Sequence, residues 1–513
     1  MRICLALVCL AFSAAAQDQP TFHAGTRLVE VDVVVRNSKG PVEGLKKEDF
    51  TILDQGKPQQ ISLFSVMAGG SLKDPSAPLP PGTVSNRLNS RGETPASATI
   101  LLIDRLNTPI NDQVYANRKV LKFLKEHGNR DRLAIYTLGS SLRAVQDLTD
   151  DPERLNRAVK SIHPQDARIL SPDVTVDKTG DAVTDEMVGR ALEELQNFVV
   201  KSRVESTKDA LIAIARHVAK VPGRKNLIWI SGSFPLIIIQ AHQTITFTKE
   251  LDEASRALND ANVAVYPVDA RGLMPTGMGT AENAGLQTGR GGVISRPDPS
   301  GPVSGSDTMV TLASLTGGHA YYNTNGIEDS IQKAVQDAEL TYTLGFYPAE
   351  EEFDNKFHKL AVKVDRKGVD VRSRTGYVAS LAGASAQETL NQLMEDPLNA
   401  TAIGIDVRAE PDASQPGNFL VHAAVDLHDI HLEDQNGKWV GAVDVSLFVE
   451  GSKKIRTITR KIEIPNAQLA SALEKGVEVD NSITAEKGAA LRVVAQDRAT
   501  GAAGSIRLGL GRQ

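Results

Sequence analysis

Leu101-Leu102-Ile103-Asp104-Arg105-Leu106-Asn107-Thr108-Pro109 passes from unbroken apolar residues into a carboxylate, then into amide and hydroxyl groups. The apolar run begins at Ala98. A short run without polar alternation reads as a strand covered on both faces, as in parallel sheets flanked by helices. In open sheets of that kind, ligands sit beyond the carboxyl ends of the strands, and Asp104 falls at such an end. A carboxylate with hydroxyls nearby suits a hard divalent cation such as magnesium, which takes oxygen ligands and keeps several waters. The same residue types also cap turns and helices, because Asp and Thr side chains accept hydrogen bonds from backbone N–H groups.

Outward from this strand, helices and strands alternate. Residues 112–127 are expected to be helical, with Val114, Leu121 and Leu124 on one stripe and Gly128 as a stop. A strand is expected at 132–138. Residues 207–220 carry Leu211, Ile214, Ala215 and Val218 on one helical face, and Pro222-Gly223 ends that pattern. Further apolar strands follow at 227–230 and 263–268, then a helix at 327–338. The expectation for 98–341 is an α/β unit with a doubly wound, mainly parallel sheet. Two stretches, 164–185 and 271–308, have no apolar period and read as long loops.

On either side the period changes to two. Val29, Val31, Val33 and Val35 alternate along a strand, and 50–53 and 61–64 are two more strand candidates within a segment at 21–66. Residues 342–378 return to alternation at Leu360, Val362 and Val364. Neither segment has enough strands to stand alone, so the two are expected to pair into one small β-sandwich beside the α/β unit. Residues 67–97 and 379–399 read as linkers. Residues 400–513 read as a second, C-terminal β-sandwich.

The chain has 513 residues, 41% hydrophobic and 23% charged, which is ordinary for a globular protein of about three domains. Residues 1–16 read as a secretory signal: Arg2, an apolar run at 3–12, then Ser13-Ala14-Ala15-Ala16. The run is shorter than the roughly 20 residues of a membrane span. Both cysteines, Cys4 and Cys9, lie inside it, so the expected mature chain has no thiol for a disulfide, a zinc site or a nucleophile. Removing it takes away Arg2 alone among charged residues. The formal net charge then moves from −6 to −7, a poor balance for nucleic acid or an anionic membrane. The expected location is periplasmic or extracellular.

The order and spacing of four stretches resemble the von Willebrand factor A (VWA) family, in particular VWA-related proteins of the acidobacterial type. They are residues 98–109, Thr207-Lys208-Asp209-Ala210-Leu211, the run from Pro222 through Asn226-Leu227-Ile228-Trp229-Ile230-Ser231-Gly232, and Leu315-Thr316-Gly317-Gly318. With the flanking segments the resemblance covers about 20–380. It implies a metal-ion-dependent adhesion site of the form D-x-S-x-S, completed by a Thr and a second Asp. Asp104 matches the first Asp and Thr108 the second Ser. Leu106 replaces the first Ser, and Asn107 offers an oxygen from the next position. Thr207 matches the second-loop Thr, and Ser231 stands where the second Asp is expected. One formal charge remains instead of two, so the site is read as degenerate, with at most weak magnesium binding and Ser231 joined to it through a water.

Other candidates are weaker. Asp269 follows another strand and reads first as a cap. His428, Asp429, His431 and Glu433 do not share one strand face. Ser231-Gly232-Ser233 lacks the G-x-S-x-G turn of a serine hydrolase. No zinc-helix, phosphate-loop or dinucleotide motif is present in the sequence. The expectation is therefore a non-enzymatic protein that binds a protein partner or surface through Asp104, Asn107, Thr108, Thr207 and Ser231. The alternatives are an envelope assembly subunit with an inert site and, less favoured, a secreted hydrolase.

Overall fold

A computed structural model describes residues 28–68, 71–73, 79–88, 93–95, 98–127, 132–164, 181–232, 237–239, 244–272, 305–348, 356–379, 386–452 and 454–511. The expected signal at 1–16 and most of the two long loops lie outside them. The chain is mixed α/β, with several separate sheets.

The central sheet has the order Leu142–Thr149, Leu133–Leu138, Ala98–Asp104, Lys225–Ser231, Val263–Asp269. The last four are parallel, and the first is an antiparallel edge. All seven residues of Ala98–Asp104, of Lys225–Ser231 and of Val263–Asp269 are buried, which explains the lack of alternation in these runs. Ile100 and Leu102 face one helical layer, where Val204, Leu211 and Ile214 of helix Ala182–His217 and Leu251 and Leu258 of helix Thr248–Asp260 pack. Leu101 and Ile103 face the other, against Val120 and Phe123 of helix Ile110–His127, Leu155 of helix Pro152–Lys160 and Ile331 of helix Ile327–Gln336. Each such side chain contributes about 1.5–3 kcal/mol on full burial. Helix Pro152–Lys160 starts where Asp151 accepts from the N–H groups of Glu153 and Arg154. The Ala182–His217 helix is longer than the expected 207–220. Its first half exposes Met187 and Phe198 at 68% and 70% and leaves Val188, Leu192 and Val199 only half-buried, which weakens the inward apolar stripe from which to read a helix.

Strand Val29–Asn37 pairs antiparallel with Leu340–Phe346, which in turn pairs with Leu63–Ala68. Strand Phe50–Asp54 pairs with Phe357–Val364. Val31, Val33, Ile52, Tyr342, Leu344 and Leu360 lie in one buried core. This β unit is fastened to the α/β unit by Asp337, whose fully buried carboxylate accepts from Arg36, from Arg372 at 2.7 Å and from the Tyr266 hydroxyl at 3.0 Å.

The C-terminal β unit has two sheets on one core. One runs Val477–Thr484, Asn418–Val425, Ile405–Pro411, Val84–Ser85. The other contains Ile455–Pro465, Lys438–Val449, Ala490–Asp497 and Ala503–Gly509. Val407, Val421, Val445, Val493 and Ile506 fill the space between them. Two expectations about linkers need correction here. Residues 84–85, expected within a linker, are a strand of this sheet. Asn86 beside them is buried and donates to the carbonyls of Ala400 and Ile403 while accepting from the Ile405 N–H. The reason is hydrogen-bond demand: an edge strand satisfies backbone groups that a free linker would leave to water. Residues 386–395, also expected within a linker, form a helix that buries Leu393 against Ala400, Val494 and Ala503.

Candidate functional site

The carboxyl edge of the central sheet holds the candidate residues. Parallel register places Asp104 opposite Leu138 on one neighbour and brings Ser231 alongside from the other. After Asp104 the chain turns sharply, with the N–H groups of Arg105 and Leu106 both donating to the Leu138 carbonyl. Gln113, one turn into the next helix, donates to the carbonyls of Thr108 and Arg105 and holds the loop shut. Gly232 permits the closest approach of the two loops, since a Cβ there would sit 2.9 Å from the Asn107 carbonyl oxygen.

Asp104 is 1% exposed, and its carboxylate is the hub. Oδ1 accepts from the Asn107 backbone N–H at 2.9 Å. Oδ2 accepts from Asn107 Nδ2 at 2.8 Å, Trp229 Nε1 at 3.0 Å and Ser231 Oγ at 2.8 Å. Burial raises its pKa, and these donors lower it without cancelling the rise. Asn107 Nδ2 also donates to Thr207 Oγ1 at 2.9 Å, and Thr207 donates to the Arg203 carbonyl one turn earlier. Asn107 Oδ1 accepts from Arg203 Nε and one terminal nitrogen, at 3.2 and 2.9 Å. Thr108 stands apart from the carboxylate, its Oγ1 accepting from the Gly232 N–H at 2.9 Å.

Four of the five candidates, Asp104, Asn107, Thr207 and Ser231, therefore form one hydrogen-bonded set, with Thr108 tied to the next loop. The expected water between Ser231 and Asp104 is replaced by a direct bond. Two members were missed, and both have a sequence signal. Trp229 lies two residues before Ser231, hence on the same strand face. Arg203 lies four before Thr207, hence on the same helix face.

The donors already on this set leave few free lone pairs for a divalent cation. Magnesium needs oxygen lone pairs at about 2.0–2.1 Å. A carboxylate has about four acceptor positions; three donors crowd Oδ2 of Asp104 and one takes Oδ1, which leaves one position on Oδ1. The Asn107 amide oxygen faces a guanidinium. Among the described residues, no group of three or more His, Cys, Asp or Glu side chains is arranged to hold a metal. His428 instead pairs with Asp426 at 3.0 Å, and His431 stands 3.6 Å from Glu433. Asp269 is engaged by Arg271 through three hydrogen bonds, one of them from the backbone N–H two residues on.

No protein-family model matches the sequence, and no curated protein matches it. Among solved structures, the chain is similar to an aerotolerance-related membrane protein from Bacteroides fragilis. That likeness has 13% identity and a TM-score of 0.25, covering 47% of this chain and 99% of the other. It is also similar to the three N-terminal domains of the type V pili tip protein Mfa5 from Porphyromonas gingivalis, with 9% identity and a TM-score of 0.26, over 88% and 77% of the two chains. A third is the ArnB paralog VWA2 from Sulfolobus acidocaldarius, with 9% identity and a TM-score of 0.20, over 87% and 74%.

Proposed function

We propose that this chain is an exported, non-enzymatic binding protein. In this reading its α/β unit is a doubly wound VWA-like domain of the acidobacterial type, set between two β-sandwiches, and its carboxyl edge meets a protein partner without a metal ion. The observation that carries the reading is the engagement of the Asp104 carboxylate by four internal donors, three of them on Oδ2. An edge locked in this way is preorganised, and its adhesion-type residues do structural work that a cation would otherwise do. The same engagement argues against a hydrolase. Ser231 is within reach of Asp104, but a carboxylate holding three other donors is a poor general base. Export rests on the sequence pattern at 1–16. No helix among the described residues is long and apolar enough to cross a membrane.

A second reading, an envelope assembly subunit, is favoured by one feature. The first half of helix Ala182–His217 exposes Val183, Met187, Leu195 and Phe198, a surface suited to contact with other subunits.

The test is capture from envelope extract on the immobilised full chain, in EDTA and in magnesium, with wild type and with Thr108→Ala/Arg105→Ala. Retention of one partner by wild type in both buffers, weakened by the loop variant, is expected. Unchanged capture by the variant moves the reading to the assembly subunit. Capture only in magnesium overturns the metal-free site, and no capture at all overturns the binding reading.

A further inference from the structure

Helix Ala182–His217 divides into two parts. Val204, Leu211 and Ile214 of the second part lie in the central core, and among the described residues Val200 is the first along the helix to pack against that core. Residues 182–199 run on before it for about 27 Å. Their inner side is half-buried through Val188, Leu192 and Val199. Their outer side carries Val183, Met187, Ala191, Leu195 and Phe198, all exposed. Steps of four, four, four and three keep these five on one side of a helix.

The row is symmetric about Ala191. Met187 and Leu195 stand four residues to either side of it, and Val183 and Phe198 stand eight and seven. Laid antiparallel on a second copy, with a two-fold axis at Ala191, the row therefore meets itself. Met187 faces Leu195 of the second copy, and Val183 faces Phe198. A two-fold contact requires such self-complementarity, and the smallest side chain sits on the axis. Charge selects the same direction. In the antiparallel pair, Glu194 of one copy lies about 3 Å along the helix from Arg190 of the other, and the two positions share a flank. A parallel pair would set Glu194 against Glu194 and Glu186 against Glu186. A helix lying on anionic lipid carries Lys and Arg on its polar face, whereas the exposed charges between Val183 and Phe198 include Glu186 and Glu194 against Arg190.

We propose that residues 183–198 form a homodimerisation face on which a second copy of this chain docks antiparallel about Ala191. The inference rests on the assembly reading above, not on the metal-free edge, and names the other subunit as this chain itself. Five apolar residues a side fall short of the roughly 20–30 of a standard interface. The dimer is therefore expected to form at micromolar rather than nanomolar concentration.

The experiment is sedimentation equilibrium of the full chain across the micromolar range, where wild type is expected to pass from monomer to dimer. Met187→Glu and Phe198→Glu each enter a two-fold contact twice, and each should weaken dimerisation by roughly tenfold or more. Both positions are exposed, so the melting temperature of the dilute monomer should not change. Direction is read by disulfide trapping in a Cys4→Ser/Cys9→Ser background. Ala191→Cys should give a cross-linked dimer. Val183→Cys should not, because the two copies of that residue stand about 24 Å apart along the antiparallel pair. A monomer at every concentration, a dimer indifferent to both glutamates, or equal trapping at positions 183 and 191 overturns the proposal. Wild-type binding to phosphatidylglycerol vesicles that Phe198→Glu abolishes overturns it in favour of a membrane. Extract capture separates its failure from that of the assembly reading. A monomeric wild type whose capture is lost in Phe198→Glu removes self-docking and keeps an assembly face for another subunit. A monomeric wild type whose capture Phe198→Glu leaves unchanged removes both.

Discussion

His217 sets Nε2 3.0 Å from Asp147 Oδ2 while its Nδ1 lies 2.6 Å from the Asn399 carbonyl oxygen. Both partners are acceptors, so both ring nitrogens must carry hydrogen, and only the imidazolium satisfies the pair. Asp147 belongs to the edge strand of the central sheet and also accepts from the Tyr136 hydroxyl at 2.9 Å. Asn399 leads into the C-terminal β unit. A protonated histidine thus clamps the two units together, flanked by Arg216–Asp396 and by Lys220 on Asp426 and Asp429.

Burial opposes the His217 charge, but the hydrogen bond and charge of Asp147, with the Asn399 carbonyl, raise its pKa above the ordinary value. Burial likewise opposes the Asp147 charge, yet His217 holds its pKa below the ordinary value. The histidine's contribution is complete below its unfolded pKa of about 6.5 and is lost as pH rises through the higher folded value. The aspartate's contribution is present above about pH 3.9 and is lost as pH falls through the lower folded value. The clamp should therefore be strongest between about pH 4 and 6.5 and loosen on the alkaline side. Thermal unfolding across pH checks this. His217→Gln should lower stability by roughly 2 kcal/mol at pH 6 and flatten the alkaline decline. An unchanged pH profile in the variant would refute the clamp.

Asp104→Ala strips the acceptor from Asn107, Trp229 and Ser231 at once. Each buried donor left unpaired costs about 1–3 kcal/mol, so a loss of roughly 3 kcal/mol or more is expected in urea unfolding. Asp104→Asn should cost less, because the amide keeps one acceptor oxygen. The pH sign is opposite to that of Asp147: with its folded pKa raised, Asp104 is least costly below about pH 3.9 and becomes costlier as it ionises. The asparagine variant should lose that part of the pH dependence.

Asp337→Ala leaves Arg36 and Arg372 without their shared carboxylate at the junction of the N-terminal β unit and the α/β unit. Breaking a buried pair on one side costs about 3–5 kcal/mol. Hydrogen exchange should quicken first in strands Val29–Asn37 and Leu340–Phe346. Uniform acceleration over the whole chain would mean that the network does not act at this junction.

Asn86→Ala removes three hydrogen bonds between residue 86 and the Ala400–Ile405 segment. A loss of roughly 3 kcal/mol is expected, with faster exchange confined to Ile405–Pro411 and its neighbours. Unaltered exchange there would show that strand Val84–Ser85 is incidental to the sheet.

The alternation of strands and helices across 98–341 is legible in the sequence because three of the parallel strands are apolar at nearly every position and their helices carry inward stripes. The candidate site was legible only in part. Asp104, Asn107, Thr207 and Ser231 are marked by position at strand and helix ends, whereas the network also needs Trp229 on Asp104 and Arg203 on Asn107, whose residue types signal a core aromatic and a surface cation. The first half of helix Ala182–His217 escaped because Val183, Met187, Leu195 and Phe198 face outward and blur its apolar stripe. Strand Val84–Ser85 escaped because two residues in a proline-rich stretch have no period, and their partner lies more than three hundred residues away.

That distance bears on how the protein is made. Strand Val29–Asn37 has its pairing partner in Leu340–Phe346, and Val84–Ser85 has its own in Ile405–Pro411, so each closure spans the entire α/β unit. As the chain leaves the ribosome, the α/β unit is finished first, while Val31, Val33, Val34 and Val35 still lack the strand that buries them. Unpaired apolar strands held open through synthesis invite pairing with other chains. The nascent protein thus needs either a chaperone on Val29–Asn37 or rapid synthesis through Phe346.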